Sequence, residues 1–284
     1  MVSLQIKQII KSALAEDIGT GDITTEATVS PQKKGRAQAI AKDDFVIAGL
    51  DIFEAVFHAL DKDIRVKKII TDGSRAKKGD IIAEVTGSLS GILQAERVAL
   101  NLFQRMCGIA TLTAKYVEAV RGTKTKILDT RKTVPGLRVL DKMAVRIGGG
   151  TNHRTGLYDG VLIKDNHIEA AGGINAAMQA QRKRLSHHLK IEVETKNIRE
   201  VKEALKCGAD IIMLDNMTVD AMKKAVDFVA GRALLEASGN VNLERVGEIA
   251  ATGVDLISVG ELTHSVRAAD ISLKVQGTRD KVQG

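Results

Sequence analysis

Aromatic residues are scarce: the chain has no Trp, two Tyr and five Phe. A single-strand nucleic-acid binder stacks bases on such rings, so nucleic acid is disfavoured as a partner. Cysteine is nearly absent as well. Cys107 and Cys207 stand 100 positions apart, which gives neither a disulfide framework nor a metal knuckle. Reduced thiols and a cytoplasmic location follow from that usage. No window approaches the roughly 18 uncharged apolar residues of a membrane span, so no membrane partner is expected. The opening residues lack a charged segment followed by an apolar core, and they include Glu16 and Asp17. They read as an amphipathic helix and not as a targeting peptide.

What is present is the composition of a folded protein. Hydrophobic residues at 44% and charged residues at 27% exclude disorder as the main state. The 284 residues fit one large α/β domain or two smaller ones. Lysine and arginine exceed aspartate and glutamate by 42 − 35 = 7. A basic balance suits an anionic partner, and phosphate esters and carboxylates count as such. With so few rings, the composition points to small anionic ligands.

The chain changes texture near residue 105. Before it, helix and strand patterns mix without a repeating unit. Residues 3–15 and 50–60 and the stretch from Gly91 to Met106 have helical period, while 36–41, 64–70 and 81–85 read as strands. From about residue 110, short apolar runs recur at Lys126–Leu128, Val161–Ile163, Ile191–Val193, Ile211–Leu214, Ala233–Leu235 and Leu256–Val259. Helical patterns separate most of them, as at Ile198–Lys206, Val219–Ala230 and Leu243–Ala251. Such βα units imply a parallel sheet, either a barrel related to the (β/α)₈ fold or an open doubly wound sheet. A weak internal repeat agrees with this: Gly208–Thr218 resembles Gly253–Thr263, 45 positions later.

Each apolar run ends in a polar cluster. The clusters are Asp129–Thr133, Lys164–His167, Glu194–Lys196, Asp215-Asn216, Glu236–Asn240 and Ser258–Gly260. In parallel α/β architectures the carboxyl ends of the strands open on one face, where ligands bind. Arg131, Lys132, Arg154 and Lys164 bring four cations to that face. They would repel one another unless a ligand with several negative groups, phosphates plus carboxylates, lay among them. Arg138, Lys142 and Arg146 lie on a helical run and read as surface ion-pairing residues or as further site cations. Glu194 and Asp215 stand opposite, and either pair with the cations or hold Mg²⁺ beside a phosphate. Ser238-Gly239-Asn240 and Ser258-Val259-Gly260, each before a helical pattern, suit a phosphate cradle or ordinary helix capping. His153, beside Arg154, is the histidine placed in the site. No nucleophile elbow, P-loop or triad pattern is present.

With these residues in view, the chain resembles the quinolinate phosphoribosyltransferase family over nearly its whole length. The blocks that carry the likeness are EDIGTGDITT at Glu16–Thr25, AERVALNLFQRMCGIAT at Ala95–Thr111 and LDTRKTVPGLR at Leu128–Arg138. They continue with GGGTNHRTGLYDGVLIKDNHI at Gly148–Ile168, IEVET at Ile191–Thr195, MLDNM at Met213–Met217, EASGN at Glu236–Asn240 and ISVGELTHS at Ile257–Ser265. One departure is Cys107, where the family often has serine. The resemblance implies an N-terminal open α/β sandwich over 1–108 and an incomplete β/α barrel over 109–270, with a tail at 271–284 returning to the first domain. It implies transfer of phosphoribosyl from phosphoribosyl pyrophosphate to quinolinate, with Mg²⁺, yielding nicotinate mononucleotide, pyrophosphate and CO₂. A phosphoribosyltransferase of the same fold acting on nicotinate without decarboxylation is the alternative. It further implies a homodimer, with a hexamer also open, in which Arg97 completes the neighbouring site. By the same likeness Arg131, Lys132, Thr133, His153, Arg154 and Lys164 surround the quinolinate carboxylates and nearby phosphate. Glu194 and Asp215 match residues at the ribose hydroxyls and the Mg²⁺–pyrophosphate, and Lys132, Lys164, Glu194 and Asp215 form the catalytic set. Ser238, Gly239, Asn240, Ser258, Val259 and Gly260 match the 5′-phosphate loops.

Overall fold

The computed structural model describes residues 2–184, 186 and 188–276. They group into two units: one contains the residues up to Leu112, Val134–Gly148 and those from Val266, the other Thr113–Thr133 and Gly149–Ser265.

The first unit opens with α1 (Leu4–Ile18), capped by the Ser3 hydroxyl, which accepts from the Ile6 N–H at 3.3 Å. Ile6, Ile10 and Leu14 fall one turn apart and are its buried residues. A short α2 (Ile23–Thr28) follows, capped by Asp22. Then come β1 (Lys34–Ala41), β2 (Phe45–Val46), α3 (Leu50–Leu60), β3 (Arg65–Lys68), β4 (Arg75–Ala76) and β5 (Ile81–Ser88). Strand β1 buries every second residue at Ala37, Ala39 and Ala41, as a sheet covered on one face requires. Phe53 of α3 lies 5.1 Å from Phe57 and 5.3 Å from Phe103, so three of the few aromatic rings concentrate in this core.

Helix α4 (Leu89–Ala119) is longer than its sequence pattern, running on through Gly108 as one 31-residue helix. A Cβ on Gly108 would stand 2.2 Å from the Arg267 carbonyl oxygen, so the glycine admits a close backbone crossing. Glycine weakens a helix interior, and the local pattern therefore stopped short of it.

The second unit holds the parallel sheet. Its strands and helices are interleaved with one helix of the first unit. In order they are β6 (Lys126–Leu128), α5 (Arg138–Ile147, of the first unit), β7 (Val161–Ile163), α6 (Asp165–Ala171), α7 (Ile174–Arg182), β8 (Ile191–Thr195) and α8 (Ile198–Lys206). The run finishes with β9 (Ile211–Asp215), α9 (Val219–Val229), β10 (Leu234–Ser238), α10 (Val246–Ala250), β11 (Leu256–Ser258) and α11 (Glu261–His264). The pairing order is β6-β11-β10-β9-β8-β7, and every pair is parallel. The first strand thus lies beside the last, the cyclic order of a barrel; a doubly wound sheet puts its first strand in the middle. The other edge of β6 carries only an isolated parallel bridge from Leu128 to Thr151, so the barrel is incomplete on that side.

The last described strand, β12 (Ile271–Gln276), pairs antiparallel with β1, giving the first unit a sheet of order β12-β1-β5-β3. The remainder of the expected tail, 277–284, lies outside the described residues. Among the described residues no helix is long and apolar enough to cross a membrane.

Candidate active site

A strand turns successive side chains to opposite faces, so residues two apart share a face. Leu162 and Lys164, Met213 and Asp215, Glu236 and Ser238, and Ser258 and Gly260 form such pairs, and all eight line one cavity of about 730 Å³. Glu194 lines it from β8. Arg131 and Lys132 enter from the loop after β6, His153 and Arg154 from the loop before β7, and Gly239 and Asn240 from the loop after β10. The cavity lies wholly within the second unit, at the carboxyl ends of its strands. Three residues named by the family likeness do not line it. Val259 is buried, Thr133 follows the rim, and Arg97 is exposed on α4 of the first unit.

The cationic side is fixed by a buried aspartate. Asp129 at the end of β6 is 0% exposed and accepts the His153 N–H at 2.8 Å and the Asn152 Nδ2 at 2.6 Å. The His153 Nδ1 in turn accepts the Arg154 N–H at 2.7 Å, and the Arg154 guanidinium donates to the Gly160 carbonyl at 3.1 Å. Burial weakens the hold of that guanidinium on its proton, and the like charge of Arg131 weakens it further. The Lys132 carbonyl accepts from the Thr263 hydroxyl at 2.8 Å, tying the loop after β6 to α11. At the start of α6, the Lys164 N–H donates to the His167 Nδ1 at 3.0 Å.

The acidic side faces these cations. Lys164 Nζ stands 3.8 Å from Glu194 Oε2. Burial raises the Glu194 carboxyl pKa; the charge of Lys164 opposes this, and that of Asp215 adds to it. Asp215 Oδ2 accepts from Asn216 Nδ2 at 3.0 Å, and Asn216 Oδ1 accepts from Asn240 Nδ2 at 3.0 Å. This chain of amides joins the ends of β9 and β10. Gly239, at φ 89°, packs so closely on Asn216 that a Cβ there would stand 2.2 Å from its Oδ1. Helix α10 begins only at Val246, so Ser238 ends β10 and Gly239 and Asn240 begin a loop, not the helix start suggested by the sequence pattern. The Asn242 carboxamide accepts the Arg245 N–H at 3.0 Å and holds the chain in a turn before the helix.

Several contributors were not singled out from the sequence. Asn216, Asn242, Glu261 and His264 line the cavity. The buried Tyr116 hydroxyl donates to Glu261, which fixes the first residue of α11. Glu192 and Glu236 are 4% and 1% exposed and lie against His153. Their signal was present: in Ile-Glu-Val-Glu-Thr the two glutamates are two apart and share a face, so Glu192 looks the same way as Glu194.

An incomplete β/α barrel with guanidinium, ammonium and carboxylate groups around one mouth defines an enzyme of small, multiply anionic substrates. The family follows from comparison with known proteins. Residues 22–107 match the quinolinate phosphoribosyl transferase N-terminal domain, and residues 109–274 match the C-terminal domain of the same family. The chain belongs to the quinolinate phosphoribosyl transferase family. A probable nicotinate-nucleotide pyrophosphorylase (carboxylating) of Bacillus subtilis is 42% identical over 283 residues, covering 100% of this chain and 98% of that one. Quinolinate phosphoribosyltransferase (decarboxylating) 2b, mitochondrial, of Nicotiana tabacum is 46% identical, covering 95% of this chain and 82% of that one. The crystal structure of NadC from Streptococcus pyogenes superposes with a TM-score of 0.94 at 38% identity, covering 97% of this chain and 98% of that one.

Proposed function

We propose that the basin joins quinolinate to phosphoribosyl pyrophosphate and releases nicotinate mononucleotide, pyrophosphate and CO₂, a step of de novo NAD biosynthesis. The supporting observation is that Arg131, Lys132, Arg154 and Lys164 face one cavity with Glu194 and Asp215 among them. Quinolinate carries two carboxylates and its co-substrate several phosphates, and this set of cations matches both.

Catalysis is chiefly positioning and electrostatics. Arg131, Arg154 and Lys164 hold the carboxylates so that the pyridine nitrogen is in line with the anomeric carbon. Lys132 stabilises the departing pyrophosphate. Glu194 and Asp215 face the carbon where positive charge develops. Attack makes the pyridine nitrogen cationic, that charge stabilises the electron pair left when the adjacent carboxyl departs as CO₂, and a proton from solvent then completes nicotinate mononucleotide. No Schiff-base lysine is required. Ser238, Gly239, Asn240, Ser258 and Gly260 receive the 5′-phosphate, while Val259 anchors their strand end and Thr133 completes the loop carrying Lys132.

Mg²⁺ belongs to the same reading. Glu194 and Asp215 present hard oxygen donors to one volume, and the charge of Asp215 raises the cost of ionising Glu194, the setting in which a small divalent cation fits. When bound, the ion would neutralise pyrophosphate charge. The assembly is read as a homodimer in which Arg97 reaches the neighbouring site, and the location as the cytoplasm.

The test is an assay of purified protein with quinolinate, phosphoribosyl pyrophosphate and Mg²⁺, each omitted in turn, following CO₂ and mononucleotide. Arg131→Ala and Lys132→Ala are expected to lower turnover by about 100-fold or more with unchanged melting behaviour. Near wild-type rates in both would refute the assignment. Turnover of nicotinate without CO₂ would replace quinolinate as the substrate.

A further inference from the structure

Beneath the basin lies a second polar layer that the reaction as described does not use. Glu192 is one inward step below Glu194 on β8, and Glu236 one below Ser238 on β10. Glu192 Oε2 stands 3.1 Å from His153 Nε2, and Glu236 Oε2 stands 3.7 Å from the same atom. The three residues each offer one ligand atom, and these all lie within 4.8 Å of one another. Among the described residues, the Oε1 of each glutamate is buried without a hydrogen-bond partner.

Two facts restrict where protons sit. Two buried carboxylates in contact cannot both ionise without strong repulsion, whereas a carboxyl donating to a carboxylate is attractive. Burial, and after it the charge of Glu192, push the Glu236 pKa up to about 8. At His153, Nδ1 accepts the Arg154 N–H, so that nitrogen carries no hydrogen. The ring hydrogen therefore sits on Nε2 and points at the carboxyl pair.

We propose that Glu192 and Glu236 are positioning residues: their carboxyl groups face the His153 Nε2–H and hold the ring as the uncharged Nε2–H tautomer, and His153 fixes the backbone of Arg154 at the rim of the basin. His153 then brings no positive charge to the substrate. It transmits the position of a rigid strand pair to a loop arginine. The inference rests on the proposed reaction for its kinetic readout alone.

The experiment uses full-length protein labelled with ¹⁵N-histidine near neutral pH, with His153→Asn to assign the signals. Two-bond N–H correlations are expected to show His153 as the neutral Nε2–H form. An imidazolium or Nδ1–H pattern would overturn the proposal, as would a stoichiometric divalent metal that Glu236→Leu abolishes, which would mean that the three groups are ligands. Glu236→Gln, which keeps a polar group of the same shape, is expected to retain the His153 pattern and to lose less kcat/KM than Glu236→Leu. Glu236→Leu is expected to raise KM for quinolinate about 100-fold, with a smaller effect on kcat. Equal losses in the Gln and Leu variants would reduce Glu236 to a packing role. Should wild-type protein prove inactive on quinolinate, the proposed reaction fails while the tautomer measurement still decides this point.

Discussion

Glu236 links the chemistry of one side chain to the pH dependence of the whole fold. In the native state its carboxyl holds a proton up to about pH 8, against an ordinary value of 4.5. Between those values the native state binds more protons than the unfolded chain, so stability falls as pH rises through that window. Above it both states are ionised and the slope from this group vanishes. Glu236→Gln removes the effect. Urea melts at pH about 5, 6.5 and 8 are expected to show the variant gaining on wild type as pH rises; a constant difference would mean that Glu236 is ionised throughout. The same residue shows what the sequence could reveal at this scale. Glu194 and Asp215 were found because they end apolar runs. Glu192 was passed over because it sits inside such a run, where a charge in a short strand is indistinguishable from one on a solvated face until the partner strands are known; Glu236 opens the cluster that ends a run, but was given no role beside Ser238-Gly239-Asn240. His153 was singled out for its neighbour Arg154, but its backbone is held by Asp129 and its ring faces β8 and β10, which no local pattern reveals.

Among the elements, the parallel strands were the most legible. Strands buried on both faces read as uninterrupted apolar runs, so five of β6 to β11 were located within two residues, while the run at Ala233–Leu235 stopped three residues short of the end of β10 at Ser238. The two-residue strands β2 and β4 fall below any usable period. Helix α4 shows a different limit. The glycine that interrupts its pattern is explained by a segment far along the chain, where the Arg267 carbonyl crosses over Gly108. Gly108→Ala would force that carbonyl away, an overpacking cost of about 1–3 kcal/mol. A thermal melt is expected to show Tm lowered by several degrees, with secondary structure unchanged; an unaltered Tm would mean that the crossing is loose.

For the whole molecule, the two compact units do not follow the order of the sequence. Val134–Gly148 leaves the parallel-strand unit for the other, and the chain comes back at Gly149. The positive residues of that excursion, Arg138, Lys142 and Arg146, read like those of any helix between two strands, so nothing local marks the exchange. Assembly belongs to this scale as well. If Arg97 serves a neighbour's site, mixing Arg97→Ala with Lys132→Ala subunits is expected to restore roughly a quarter of wild-type activity, because half the dimers are mixed and each has one intact site. No recovery on mixing would place Arg97 outside the chemistry.

The pairing of β12 with β1 also sets a schedule. As the polypeptide leaves the ribosome, the strands of the barrel are all synthesised before the first unit has its fourth strand, with residues 271–276 still to come. Until then β1 presents an unpaired edge, open to any extended segment of a nearby nascent chain. The interval between making the first strand and delivering its partner is therefore when this protein is most exposed to misassembly.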